Sequence, residues 1–181
     1  ALPISHPLAV GMTGIWGTRP ANEMTREADV VIAVGTGFGE ADCSSWTPGV
    51  TFSFPTSKLI QIDIEPEEIG KIYRVDVGIV GDAKATLQAL IAALRAKGVK
   101  GDASRAATVA ARRAAWEQEL VATQADNGTP IHPARLLKEV ADAVSPDTVF
   151  VTDVGWNKNG AGQQITVTEP DRKSTRLNSS H

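Results

Sequence analysis

Cysteine occurs once in 181 residues, at Cys43. A single thiol cannot close an intrachain disulfide, which excludes a disulfide scaffold and makes a reducing, cytoplasmic setting the expectation. Long apolar runs are missing as well: none approaches the roughly 20 residues that a membrane helix needs. A basic start followed by an apolar stretch, the mark of a signal peptide, is also missing. Positive charge is in short supply. At a formal net charge of −3 there is no electrostatic case for nucleic acid or for an anionic membrane as partner. The three histidines, His6, His132 and His181, lie far apart without metal-ligand spacing, so they carry no metal site. No Ser-His-Asp set and no pair of carboxylates can be argued from spacing. Cys43 has no histidine near it in sequence and reads as a small, partly buried thiol.

Aromatic residues amount to only 5%, whereas the apolar share is 42%. Alanine, valine, isoleucine and glycine supply most of it. That balance favours an α/β protein over a β-sandwich, because parallel strands use β-branched residues and covering helices tolerate alanine. "DVVIAVGTG" (Asp29 to Gly37) reads as a buried strand closing on a glycine turn. "RPANEMTREA" before it reads as a short helix, with Pro20 in the first turn where a missing N–H costs nothing. "SKLIQIDIEP" is a second strand stopped by Pro66, and "EPEEIGK" one or two helical turns with acidic residues at the favoured end. "VDVGIVGD" is a third strand. It feeds "AKATLQALIAALRAKG", in which Leu87, Leu90, Ile91 and Leu94 share one helix face, and Gly98 ends that helix. This order predicts a Rossmann-like parallel sheet with flanking helices.

A polar, alanine-rich stretch follows and reads as a helical connector ending near Asn127-Gly128. The α/β pattern then restarts. Pro133 opens a helix with Leu136, Leu137, Val140 and Val144 on one face, Pro146-Asp147 turns the chain, and "TVFVTDVG" is another strand ending on glycine. The expected organisation is a Rossmann-like domain over 1–98, truncated at its N-terminal side, and a helical linker over 99–128. An incomplete second α/β domain over 129–170 and a tail over 171–181 complete it.

Local motifs have plain readings beside their functional ones. "GTGFGEAD" (Gly35 to Asp42) has the spacing G-x-G-x-G rather than G-x-G-x-x-G, and no convincing helix follows it. Such a turn is more often only a turn than a phosphate site. Asp63 lies near a strand's C-terminal end, where open α/β sheets bind ligands, but capping the Glu67-Glu68 helix is the simpler role. Asp82 is a natural N-cap for the helix after it. Trp46 and Trp116 read as packing residues.

Taken in order, three segments resemble one family. "HPLAVGMTGIWGTRPANEMTREADVVIAVGTGFGEAD", "KLIQIDIEPEEIGK" and "VGIVGDAKATLQAL" are similar to the central domain of thiamine-diphosphate-dependent enzymes, nearest to the acetolactate synthase-like branch. "PIHPARLLKEV…VFVTDVGWNKNGAGQQ" is similar to the start of their cofactor-binding domain. The resemblance covers nearly all of residues 6 to 170. It implies an enzyme acting on small 2-oxo acids with thiamine diphosphate and Mg²⁺, a homodimeric or homotetrameric parent, and a chain that is an inactive fragment of it. The activating glutamate and the "GDG…N" metal segment of the family have no counterpart here. Gly155, Trp156 and Asn157 match the family's loop near the diphosphate, although synthases often carry "GQHQ" where this chain has "GWNK".

The family's central domain holds FAD in the true synthases, with arginines where this chain has Gly37 and Ala41. That departure leans towards an empty, architectural domain. The expected cofactor contacts are therefore Gly35, Gly37, Asp63 and Asp82 at the sheet edge, with Gly155, Trp156 and Asn157 after the last strand. A rival reading is a non-catalytic FAD- or NAD-binding Rossmann-like module. A sirtuin-like deacylase lacks a CxxC pair. Residues 171–181, "DRKSTRLNSSH", resemble the translation of a common sequencing adapter, and "ALPI" at the start resembles the end of another. The tail is read as an artefact and set aside from the fold, whereas residues 1–5 stay open between native and adapter-derived sequence.

Overall fold

The computed structural model describes residues 6–145, 148–153 and 155–165, together with the backbone of 173–175. The expected turn at Pro146-Asp147, residues 1–5, His181 and most of the 171–181 tail lie outside the described residues. The chain divides into two compact units. One comprises Ala1–Met12, Trp16–Ala21 and Ser104–His181, the other Thr13–Ile15 and Asn22–Ala103.

The second unit is built on a three-stranded parallel sheet in sequence order: β1 (Val30–Val34), β2 (Lys58–Asp63) and β3 (Val77–Val80). The register sets Ile32 beside Ile60 and Ile60 beside Val77, so side chains alternate cleanly between two faces. One face carries Ala33, Leu59 and Gln61, and all three are buried. Against Ala33 and Leu59 pack Phe38, Cys43 and Phe52, with Phe54, Tyr73, Val31 and Val75 around them. Three of the chain's four phenylalanines and its one tyrosine thus meet in one cluster. Phe38 stands edge-on to Phe52 at 5.7 Å and to Tyr73 at 5.2 Å, and Phe52 stacks on Phe54 at 5.3 Å. Such edge-to-face and stacked pairs add stabilisation beyond simple burial.

The opposite face is less covered. Val30 and Ile32 are half exposed, as is Val77 across the sheet. Helix α2 (Ala83–Ala96) lies against β2. Its expected apolar face is only partly used, because Ile91 and Leu94 remain exposed. The helix ends as read from sequence. Gly98 takes φ +67°, and Val99 N–H bonds back to Leu94 O at 3.0 Å, satisfying a terminal carbonyl.

Helix α1 (Arg19–Glu27) precedes β1, with Pro20 in its first turn. Asn22 exchanges two hydrogen bonds with Gly14, its Oδ1 accepting from the N–H and its Nδ2 donating to the carbonyl, each at 2.8 Å. Between β1 and β2 no α-helix forms. A 3-10 turn over Ala41–Cys43 leads into Ser44, Ser45 and Trp46, all three left-handed. L-residues pay about 1–2 kcal/mol each for that conformation. The segment is held by Ser45 N–H to Glu40 O at 2.9 Å, Ser44 Oγ to buried Thr51 Oγ1 at 2.7 Å and Trp46 Nε1–H to Phe38 O at 2.8 Å. Trp46 is therefore anchored by its polar edge while its ring is 41% exposed, a correction to its reading as a packing residue.

The first unit contains α3 (Ala103–Gln124), α4 (Pro133–Ala143), β4 (Phe150–Thr152), α5 (Trp156–Gln164) and β5 (Lys173–Thr175). Pro133 opens α4 as expected, and His132 caps it by accepting the Ala134 N–H on Nδ1 at 3.2 Å. Within this unit Arg19 pairs with Glu119 at 2.6 Å, and Arg113 donates to His6 O at 2.9 Å. β4 pairs in parallel with β5, Phe150 opposite Lys173. Trp156 and Asn157, matched to a family loop, instead open a helix over "WNKNGAGQQ". Its two glycines weaken helix propensity by about 1 kcal/mol each. At Gly160 the reason is packing: a Cβ there would lie 2.7 Å from the Trp156 ring and 2.9 Å from Leu137.

Candidate functional site

The carboxyl ends of β1, β2 and β3 frame a cavity of about 180 Å³ lined by Gly35, Ile62, Asp63, Ile64, Gly81, Asp82 and Ala83. The structure brings three of the expected contact residues together there: Gly35, Asp63 and Asp82. The backbone closes the rim, with Gly35 N–H donating to Ile62 O and Gly81 N–H to Asp63 O, both at 2.9 Å. Gly35 adopts φ +60°, a conformation glycine takes without strain.

Each carboxylate also has a local task. Asp82 caps α2, Oδ1 accepting the Ala85 N–H at 2.8 Å, as its position in sequence predicts. Asp63, buried at 9% exposure, does not cap the Glu67-Glu68 turn. That 3-10 turn spans Pro66–Glu68 and starts from Glu65 without a side-chain cap, while Asp63 Oδ1 accepts the Glu65 N–H at 3.0 Å. The reason is reach: an aspartate at a strand end bonds naturally to the backbone two residues on.

Gly37 is not among the residues lining the cavity. A Cβ there would lie 2.8 Å from Glu68 Oε2, and a Cβ on Gly39 would lie 3.2 Å from Asp42 Oδ2. Beneath this turn sits Gln61, a residue the sequence reading passed over. Its side chain is 1% exposed and fully engaged. Nε2 donates to Glu68 O at 2.9 Å and Thr36 O at 3.4 Å, and Oε1 accepts the Gly70 N–H at 2.9 Å. The signal that could have found it is a lone amide on the inward parity of an apolar strand, since a buried amide must be hydrogen-bonded.

Cys43 is buried beside Tyr73. Burial pushes the thiol above its ordinary range; the Tyr73 hydrogen bond pulls it back in part, and Asp42 pushes it up further. Tyr73 is itself shifted upward, first by burial and then by Cys43. A thiol held protonated in an apolar cluster is no nucleophile.

The remaining expected contacts lie in the other unit, at the start of α5. Gly155 is its N-cap at φ +143°, with no side-chain cap, and Trp156 and Asn157 are its first two residues. A helix start presents backbone N–H groups that lack intrahelical partners. In β4 just before it, Thr152 Oγ1 is buried without a hydrogen-bond partner. A second cavity in this unit, about 110 Å³, is lined by residues including Gly11, Thr18, Arg113, Trp116, Leu120 and Gln163. Among the described residues, no group of three or more His, Cys, Asp or Glu is placed to hold a metal ion. No helix among them is long and apolar enough to cross a membrane.

Residues 1–90 match the family model described as "Thiamine pyrophosphate enzyme, central domain". The chain is 36% identical over 162 residues to a probable acetolactate synthase large subunit of Methanocaldococcus jannaschii, covering 86% of this chain and 26% of that protein. It is 33% identical over 171 residues to acetolactate synthase of Mycobacterium bovis, covering 94% of this chain and 27% of the relative. A sulfoacetaldehyde acetyltransferase of Castellaniella defragrans is 29% identical over 190 residues, with 94% of this chain and 31% of that protein covered. The chain thus spans about a quarter to a third of the length of these relatives. The parallel sheet fits the matched central domain, and the similarity to the two synthases and the acetyltransferase runs well past it. The chain belongs to the acetolactate synthase-like family of thiamine pyrophosphate enzymes.

Proposed function

We propose that the whole protein is a thiamine-diphosphate-dependent enzyme that decarboxylates a small 2-oxo acid and transfers the remaining carbon unit to an acceptor. The observation that carries this reading is the extent of similarity, 86% of the chain at 36% identity to one synthase large subunit. The start of α5 supports it. Gly155 has no Cβ and the following turn offers backbone donors, which suits an anionic group such as a diphosphate. Gly155, Trp156 and Asn157 would hold that group, and Thr152 Oγ1 supplies a buried polar atom still lacking a partner. When bound, the cofactor supplies the nucleophilic carbon and the electron sink for loss of carbon dioxide. The chain's own contribution is to bind and orient it. Mg²⁺ belongs to this reading, but none of the described residues is assigned to it.

Full-length protein incubated with thiamine diphosphate, Mg²⁺ and pyruvate should release carbon dioxide. Absence of turnover with pyruvate and with other short 2-oxo acids refutes the assignment. The names of the acetyltransferase relatives give sulfoacetaldehyde as a further substrate to test. The 181-residue chain alone, spanning about a quarter to a third of its relatives, should show no turnover. A homodimeric or homotetrameric parent in the cytoplasm completes the proposal, and sedimentation of the full-length protein tests the assembly. We further propose that 99–128 connects the central domain of 1–98 to an opening cofactor domain of 129–170, and that 171–181 is foreign to the gene. A genomic reading frame that diverges after about Pro170 would establish the last point.

A further inference from the structure

We infer that the Gly35–Gly39 turn excludes phosphate, so that it does not serve as the pyrophosphate-binding turn for a flavin or nicotinamide dinucleotide. A glycine-rich turn binds a pyrophosphate when its N–H groups are unspent, its surroundings are positive or neutral, and a helix N-terminus follows. The turn departs from this pattern. Gly35 N–H is spent on Ile62 O at 2.9 Å, and Phe38 N–H on Thr36 Oγ1 at 3.2 Å. The space beside Gly37 and Gly39 is taken by the carboxylates of Glu68 and Asp42, whose oxygens lie 2.8 and 3.2 Å from where Cβ atoms would stand. After the turn comes a three-residue 3-10 segment, Ala41–Cys43, running into left-handed backbone.

The lysine beside Glu68 is already committed. Lys71 Nζ bonds Glu68 Oε1 at 2.6 Å, leaving Oε2 as the atom that faces Gly37. The cavity lining itself contributes Asp63 and Asp82 and no lysine or arginine. A phosphate entering here would meet negative charge at short range with little compensation. The carboxylates of Glu68 and Asp42 stand in the space beside the glycines at 37 and 39. Close approach of a ligand is not needed to account for them.

Titration of the full chain with ADP and with FAD tests this, using adenosine as the phosphate-free reference. The unmodified chain should not saturate with ADP or FAD up to roughly millimolar concentration, the range of non-specific contact. Glu68→Arg should improve ADP affinity at least about tenfold, with a dependence on salt, and leave adenosine unchanged. Asp42→Asn should act in the same direction with a smaller gain and without a change of volume. Micromolar, stoichiometric binding of FAD or ADP to the unmodified chain overturns the inference. So does an ADP affinity that neither substitution alters while circular dichroism stays that of the parent. This readout is independent of turnover, so it stands or falls separately from the proposed activity.

Discussion

Gln61 Oε1 accepts the backbone N–H of Gly70 at 2.9 Å, inside the sheet core rather than at its surface. With its Nε2 on Glu68 O and Thr36 O, one side chain ties two loops to the middle of β2. Gln61→Leu would fill the space and strand these groups. Leaving a single buried donor unpaired costs about 1–3 kcal/mol. A urea denaturation midpoint equal to that of the parent would show the amide to be dispensable.

Two glycines separate backbone need from spatial need. A Cβ on Gly14, at φ +91°, would stand 2.0 Å from Ala41 O, whereas one on Gly35, at φ +60°, meets nothing within 4 Å. Gly14→Ala therefore forces main chain apart and should cost more than about 4 kcal/mol, at the extreme of single substitutions. Gly35→Ala should cost only about 1–2 kcal/mol, the left-handed penalty alone. Thermal unfolding of the two variants side by side would reveal whether that order is reversed.

Asp76 accepts the Leu59 N–H at 2.9 Å and pairs with Lys58 at 3.0 Å, and these contacts hold its carboxyl below the usual range, the backbone bond contributing most. A lowered folded-state value means stability is present above the unfolded value, near 3.9, and lost as pH falls through the folded one. Asp76→Asn should be less stable than the parent at pH 7 and converge with it in acid. A gap that stays constant from pH 7 to pH 2 contradicts this origin.

The alkaline side has the opposite sign. Cys43 and Tyr73 are both shifted upward in the folded protein. Their contribution is full below the unfolded thiol value, near 8.5, and declines as pH rises beyond it, because only the unfolded chain ionises there. Ellman's reagent should label Cys43 at pH 8 only at the rate of unfolding. Rapid labelling of the native chain would mean that the aromatic cluster is open.

Much of this was legible because it is local. β-Branched runs give β1, β2 and β3, heptad-like spacing gives α2, and Asp82 sits where a helix cap belongs. Most of what sequence did not show depends on contacts made outside the local element. Phe38, Phe52, Phe54 and Tyr73 look like scattered loop residues until folding gathers them. Gly160 weakens a helix on paper, and only Trp156 and Leu137 show why it is needed. Ser44, Ser45 and Trp46 carry no left-handed signature of their own; Glu40, Phe38 and Thr51 impose it. Of the candidate contacts, the placement of Gly35, Asp63 and Asp82 on one rim follows from sheet topology, which strand order anticipates. The two carboxylates beside Gly37 and Gly39 do not follow from any motif.

The pairing of β4 with β5 has a consequence for specificity. A parallel ladder is written in main-chain N–H and C=O groups, so it recognises extension and direction more than residue identity. Lys173, Ser174 and Thr175 supply that ladder through their backbone. The ladder therefore reads the extended, parallel course of the segment it pairs with.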